Sequence, residues 1–447
     1  MNPGETEAYY EADNASIMFK WQKMYNQRLV TAQEAAVAVR SGDQIWFPIG
    51  AGEPYSFVRA LTSRKETLTG VTTHQILPVR PGYFDEESSH HIRHNSLFTS
   101  GVTREAVREG WADFTPNHFH EIPRLIRDYW DVDIAGAAVS SMDEHGFFSL
   151  GLGADYIWEA VHNAKKVILE VNPAIPRCYG NCHVHISKVS HLIESNEPLP
   201  ELHPAPLNEL DETIGGYVAE LIEDGSTLQI GYGTVPDAIC NALSNKKDLG
   251  IHTEMLTEGI MELVACGAVN NSRKNFHPDK MLATFAWGTK KLYEFMNCNP
   301  MLEIHPVDYT NDPYNIGRND NMVSINATIA VDFLGQCCSE SMGEKQWSGT
   351  GGQVDFFRGA NISKGGKGFV TMPSTAKGGT ISRIVPVLKK GSVVTTSKND
   401  VDHVVTEYGV AKLRGRSVRQ RTLSLIGISH PDFRKELTRA ARKLKLI

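Results

Sequence analysis

Apolar and polar positions alternate along the chain in two periods, and the switches between them mark the elements. Residues 30–39 and 55–62 carry apolar side chains at helical spacing, and residues 43–48 between them form a short run of strand length. Residues 132–139 and 166–171 are mostly apolar and are candidates for buried strands. Residues 194–210 interrupt the pattern. Pro198, Pro200, Pro204 and Pro206 fall in a stretch without apolar periodicity, which reads as a linker or long loop. Beyond it, Leu228-Gln229-Ile230 reads as a strand, Gly231-Tyr232-Gly233 as a turn, and Pro236 as the opening of a helix. Further strands are expected at 301–306, 322–333, 368–372, 380–388 and 392–396, and helices at 260–268, 290–296 and 433–446. The alternation predicts an α/β protein of two similar α/β domains, residues 1–200 and 201–447, each a mostly parallel sheet flanked by helices. Both halves open with a helix, a strand and a glycine turn, at 42–52 and at 225–233, which suggests a duplicated domain.

Composition narrows the class. At 447 residues the chain exceeds what one hydrophobic core serves, in keeping with two domains. A hydrophobic fraction of 41% with 22% charged residues is that of a folded globular protein rather than a disordered one. The net charge of −7 argues against a nucleic-acid surface. No apolar run approaches the roughly 20 residues of a membrane-spanning helix. Met1 to Asp13 is acidic and polar, without the basic start and apolar core of a secretory signal. The seven cysteines are an odd number, widely spread, and form no disulfide framework, so a cytoplasmic location is expected.

Candidate chemistry concentrates at Glu254, in Asp248-Leu249-Gly250-Ile251-His252-Thr253-Glu254-Met255, where an apolar run gives way to a turn. Strand ends in α/β proteins form the rim where ligands bind. A carboxylate there serves as base, metal ligand or covalent nucleophile. Ser348-Gly349-Thr350-Gly351-Gly352-Gln353 places three glycines ahead of a helix start, where free N–H groups make an anion or oxyanion site. The basic loop Ser363-Lys364-Gly365-Gly366-Lys367-Gly368 reads equally as a phosphate cradle or a solvated turn. Neither loop has the dinucleotide or P-loop spacing, and Gly231-Tyr232-Gly233 lacks a third glycine and an acidic ribose partner. Cys178, Cys182, His183 and His185 have metal-ligand chemistry but no zinc-site spacing. Cys337-Cys338 reads as buried small hydrophobes and His90-His91-Ile92-Arg93-His94 as a solvated cluster, so no metal is expected.

These motifs, in this order and covering nearly the whole chain, resemble the family I CoA-transferases, in particular the acetyl-CoA hydrolase/transferase branch with 4-hydroxybutyrate and butyryl-CoA:acetate CoA-transferases. The resemblance implies the CoA-transferase fold. Gly231-Tyr232-Gly233-Thr234-Val235-Pro236 is similar to that branch's CoA-binding loop, and His252-Thr253-Glu254-Met255 to the motif of its catalytic glutamate. Thr310-Asn311-Asp312-Pro313 resembles the segment whose asparagine helps form the oxyanion hole. Ile325-Asn326-Ala327-Thr328-Ile329 resembles a strand touching CoA, and Gly351-Gly352-Gln353-Val354-Asp355-Phe356 the loop that supplies a backbone donor. Pro373-Ser374-Thr375-Ala376-Lys377-Gly378-Gly379 is similar to a segment whose lysine is linked with CoA. Thr406-Glu407-Tyr408-Gly409, His430-Pro431-Asp432-Phe433 and Asp143-Glu144-His145-Gly146 resemble further family segments. Met142 stands where the branch has proline, and Cys178-Tyr179-Gly180-Asn181-Cys182 departs from its usual Thr-His-Gly-Asp-Ser type.

By resemblance, the catalytic residues are Glu254, Asn311 and Gly352, and CoA is held by Gly231, Tyr232, Gly233, Thr234, Val235, Ile329, Gly352 and Lys377. CoA is then a substrate, and no tightly bound cofactor is implied. The partners are an acyl-CoA and a short carboxylate such as acetate, butyrate, 4-hydroxybutyrate or itaconate, in a homo-oligomer without nucleic acid or membrane. An ionised Glu254 is the expected nucleophile, for which a strongly raised pKa would be counterproductive. Net acyl-CoA hydrolysis from the same intermediate, or a non-catalytic ligand sensor on a related fold, are the alternatives.

Overall fold

The computed structural model describes residues 18–447, so the acidic start Met1 to Asp13 lies outside the described residues. Two parallel sheets organise the chain. The first has seven strands in the order Asp113–Phe114, Ile92–Phe98, Val71–Ile76, Gln44–Trp46, Ile134–Val139, Lys166–Val171 and His191–Glu194, every neighbouring pair parallel. The second has six strands in the order Gly250–Ile251, Thr227–Ile230, Met322–Ala327, Lys367–Thr371, His403–Thr406 and Gly409–Lys412. Only its last pair is antiparallel. Burial on both faces of Ile134–Val139 explains its unbroken apolar run, and Thr227–Ile230 is buried throughout as well.

The two halves do begin alike. A helix, Ala32–Val37, leads to the strand Gln44–Trp46 and the helix Tyr55–Ser63. A helix, Glu209–Glu220, leads to Thr227–Ile230 and the helix Thr234–Ala242. Thr31 and Asn208 cap the two leading helices with the same reciprocal capping box. Between the halves, residues 195–208 carry no helix or strand. The largest apolar cluster nonetheless draws on both, including Trp46, Phe148, Phe285, Ile325 and Phe369. Full burial of side chains of this size contributes roughly 1.5–3 kcal/mol each.

Some expected elements differ. The run 322–333 is two strands, Met322–Ala327 and Ala330–Asp332. Its break is at Thr328, whose hydroxyl turns back to the carbonyls of Ala330 and Cys338. Residues 380–388 reduce to the pairs Ile381–Ser382 and Ile384–Val385. Residues 392–396 form no strand and make only an isolated bridge from Thr396 to Cys337. The second-half helix opens at Thr234, two residues before Pro236, because Gly233 at φ 131° turns the chain and a proline in the first turn needs no N–H donor. All seven cysteines are unpaired. Among the described residues no helix is long and apolar enough to cross a membrane.

Candidate active site

Glu254 follows the edge strand Gly250–Ile251, and its backbone is fixed from both sides. The His252 N–H donates to the Leu228 carbonyl at 3.0 Å, and the Thr253 N–H to Leu282 at 2.9 Å. The Glu254 carbonyl accepts from the N–H groups of Thr284 at 3.0 Å and Phe285 at 3.2 Å. These four bonds fix the backbone on either side and hold the side chain at one place. There the Asn311 amide donates to Glu254 Oε2 at 2.7 Å.

Asn311 is itself positioned from below. His252 is fully buried, and its Nε2–H donates to the carbonyl of Thr310 at 2.7 Å. That leaves Nδ1 as the acceptor for the Asn319 amide at 3.0 Å. Burial lowers the His252 pKa to about 3, so the ring stays neutral and keeps this tautomer. The side chain two residues before Glu254 thus orients the residue that contacts it.

Gly352 completes the group. It caps the helix Gln353–Ile362 at φ −93°, a conformation any residue can adopt. Space is what demands glycine, since a Cβ would fall inside both Glu254 Oε2 and Asn311 Nδ2. The backbone N–H of Gly352 favours the charged form of the carboxylate. The loop before it leans on the first half of the chain. Phe119 N–H donates to Gly351 O at 3.3 Å, Thr99 N–H to Ser348 O at 3.4 Å, and Gly349 and Gly351 pack against Phe98. The site therefore lies where the two halves meet.

One buried pair reinforces that junction. Asp355, fully buried in the first turn of the helix, accepts from His120 Nδ1 at 2.8 Å and from the His120 N–H at 3.2 Å. Burial alone would lower the His120 pKa, but the bond to Asp355 and its charge raise it overall. Burial likewise raises Glu254, to about 7, and the Asp355 charge adds to the rise while Asn311 and Gly352 oppose it. Glu254 is thus not the ordinary carboxylate expected. Desolvation outweighs its two donors.

The other anticipated residues lie along the same sheet edge. Ile230 pairs with Ile325 and Ala327 with Thr371, so the segments after them leave the carboxyl ends of adjacent parallel strands. Leu228 pairs with Ile251, so Gly231 and Glu254 each lie three residues beyond a paired position on neighbouring strands. Gly231 N–H donates to Ile325 O at 3.1 Å, Tyr232 is 55% exposed, and Val235 is buried below Thr234. Ile329 N–H donates to Cys338 O at 2.9 Å, just beyond its strand end. Lys377 is exposed at the tip of the hairpin Thr375–Ser382, with φ 51°. None of Tyr232, Ile329 and Lys377 hydrogen-bonds the Glu254 carboxylate. Cys178 and Cys182 are buried with bonds to backbone carbonyls and join no three-ligand group among the described residues. His120, Asp355, His252 and Asn319 were not singled out from the sequence. The local signals were the place of His252 in the motif His252-Thr253-Glu254-Met255, the His-x-His spacing at His118 and His120, and the place of Asp355 within the glycine-loop motif.

Comparison with known proteins fits this geometry. Residues 13–202 match the acetyl-CoA hydrolase/transferase N-terminal domain, and residues 288–441 match its C-terminal domain. A succinyl-CoA:cyclohexane-1-carboxylate CoA transferase of Geobacter metallireducens is 60% identical over 96% of this chain and 98% of its own. A 4-hydroxybutyrate coenzyme A transferase of Clostridium kluyveri is 48% identical over 95% and 99%. The crystal structure of a 4-hydroxybutyrate CoA-transferase from Porphyromonas gingivalis superposes with a TM-score of 0.83 at 41% identity, covering 95% of this chain and all of that one.

Proposed function

The chain belongs to the acetyl-CoA hydrolase/transferase family and is a CoA-transferase, and from that premise we propose that Glu254 carries CoA between two acids. The observation that supports this is a carboxylate with the Asn311 amide at 2.7 Å and the Cβ-free backbone of Gly352 beside it, on a glycine loop that leans on the first half of the chain.

In the first step the ionised Glu254 attacks the thioester carbonyl of the donor. The tetrahedral oxyanion collapses, the C–S bond breaks, and CoA leaves as thiolate, giving an acyl-glutamyl anhydride. The thiolate then attacks the glutamyl carbonyl, and the donor acid departs as its carboxylate. A glutamyl-CoA thioester remains. The acceptor carboxylate attacks that thioester and releases thiolate, which attacks the acceptor's acyl carbon. The acceptor leaves as its CoA ester and Glu254 is restored. No proton is taken up or lost in the cycle. Asn311 Nδ2 and the Gly352 N–H are the donors to each oxyanion. The partly buried setting of Glu254 limits the access of water to the thioester.

Asn311→Ala is expected to lower kcat by about 10²–10³, the usual worth of one oxyanion donor. Steady-state rates of the folded variant check it, since a residue outside the reaction would leave kcat unchanged. For CoA itself, Gly231, Tyr232, Gly233, Thr234, Val235, Ile329 and Lys377 are the contacts we assign at the strand ends, with Lys377 offering its charge to a CoA phosphate. Lys377→Ala is expected to raise KM for the acyl-CoA about tenfold, the worth of ~1.4 kcal/mol, with little change in kcat. An unchanged KM would remove Lys377 from the CoA grip.

Aromatic residues lie near the site. The Phe285 backbone N–H holds the Glu254 carbonyl, the Phe119 ring lies edge-on to that of Phe285 at 6.5 Å, and Phe98 backs the glycine loop. Together with the cyclohexane-1-carboxylate relative, this favours an apolar acyl group, alicyclic or short-chain, over a second dicarboxylate in the acceptor role. We assign the two domains to residues 1–200 and 201–447, in a cytoplasmic homo-oligomer, in keeping with the unpaired cysteines and the resemblance to the family. Incubation of acyl-CoA with and without cyclohexane-1-carboxylate or butyrate tests the reading. Transfer to the acid is expected, whereas equal loss of acyl-CoA without acceptor identifies a hydrolase.

A further inference from the structure

The strand Leu302–Ile304 places Glu303 and, two residues on, His305 on the same side of the chain. His277, from the loop before Met281, joins them. His277 Nδ1 lies 2.6 Å from Glu303 Oε2, and His305 Nε2 lies 3.2 Å from the same oxygen. The three ligand atoms all fall within 4.8 Å of one another. Among the described residues no other group of three His, Cys, Asp or Glu side chains converges this way. The side chains are 20%, 21% and 14% exposed, so they are partly shielded but reachable.

We propose that His277, Glu303 and His305 form a binding site for one first-row divalent transition cation, with Zn²⁺ the best match. Two imidazole nitrogens and one carboxylate oxygen are a zinc donor set that leaves a fourth position for water. Tetrahedral bonds of about 2.0–2.1 Å put neighbouring ligand atoms about 3.3 Å apart, so His305 and Glu303 already stand at the required spacing. His277 needs to withdraw from Glu303 by less than about 1 Å to match that same geometry. The outer partner that such sites use is also present. His277 Nε2 lies 2.8 Å from the Tyr309 hydroxyl, which fixes the ring with Nδ1 directed inward. Tyr309 stacks on His305 at 4.8 Å between ring centres. The ion would therefore clamp the loop of His277 to the strand end and to the short helix Val307–Thr310, which leads directly into Asn311. Nothing in this site depends on the role assigned to Glu254.

The full-length chain, stripped with a chelator, is titrated with Co²⁺ and its visible absorption recorded, followed by displacement with Zn²⁺. One equivalent is expected, with the strong visible bands of a four-coordinate site, and Zn²⁺ is expected to raise the thermal midpoint. Glu303→Gln and His305→Ala are expected to weaken binding by about 100-fold or more, and Tyr309→Phe by about 10–100-fold. A Cys266→Ser/Cys298→Ser variant, which removes the two exposed thiols, is expected to bind as the parent does. Absence of a one-equivalent transition overturns the site. So does binding that persists in Glu303→Gln, His305→Ala and Tyr309→Phe, or that disappears with the two thiols.

Discussion

Glu254→Gln is expected to lose CoA transfer by at least about 10⁴-fold, the scale seen when a covalent nucleophile is removed. The same variant is expected to be more stable than the parent at pH 8. The parent carboxyl is raised from 4.5 to about 7 by burial first and the Asp355 charge second. A raised acid binds its proton more tightly in the folded chain than in the unfolded one. Stability from this group is therefore present below 4.5 and is lost as pH rises through the window to about 7. The amide is neutral throughout, so the gain in thermal midpoint should be small at pH 4.5 and largest above pH 7. Activity of the parent runs the other way. Attack needs the ionised form, so the rate should climb through about pH 7 and level off above it. Thermal midpoints and rates measured across pH 4.5–8.5 check both signs. Equal stability of the two proteins at every pH would contradict the burial of a charged nucleophile.

Gly352→Ala is the second large effect, and its cause is space rather than charge. The added methyl would occupy the position where Glu254 Oε2 and Asn311 Nδ2 meet. Either the carboxylate rotates away or the helix Gln353–Ile362 retreats, and both separate the nucleophile from its donors. Misplacement by about 1 Å costs on the order of 10²-fold, and loss of a donor adds a further 10²–10³-fold. The backbone conformation at φ −93° suits alanine, so the fold should hold. A folded Gly352→Ala variant with rates near the parent's would show that this glycine is only a helix start. Its pH profile supplies a further check, because displacement into solvent should return the Glu254 titration towards the ordinary carboxylate range.

How much of this was legible in the chain depends on distance along it. The strand Thr227–Ile230, the glycine turn after it and the helix Gln353–Ile362 are written locally, in apolar runs and glycines, and were anticipated within a few residues. The order of motifs also pointed to Glu254, Asn311 and Gly352, which the structure gathers around one oxygen. The His120–Asp355 pair was not visible, because 235 residues separate its members and only the docking of the two halves joins them. The raised Glu254 pKa was missed for the same reason, since desolvation belongs to the assembled pocket and not to any segment. Residues 392–396 misled in the opposite direction. Their Ser-Val-Val-Thr-Thr run has strand propensity, yet only Thr396 bridges to another segment and the rest finds no ladder.

The most direct test of the central claim is mass spectrometry of the protein trapped during turnover. The enzyme is mixed with acyl-CoA and quenched with borohydride or hydroxylamine, then digested. The account predicts a reduced or hydroxamate-bearing glutamate in the peptide containing Glu254, dependent on acyl-CoA and absent from Glu254→Gln. Full turnover with that peptide unmodified, or trapping at a different side chain, would contradict it.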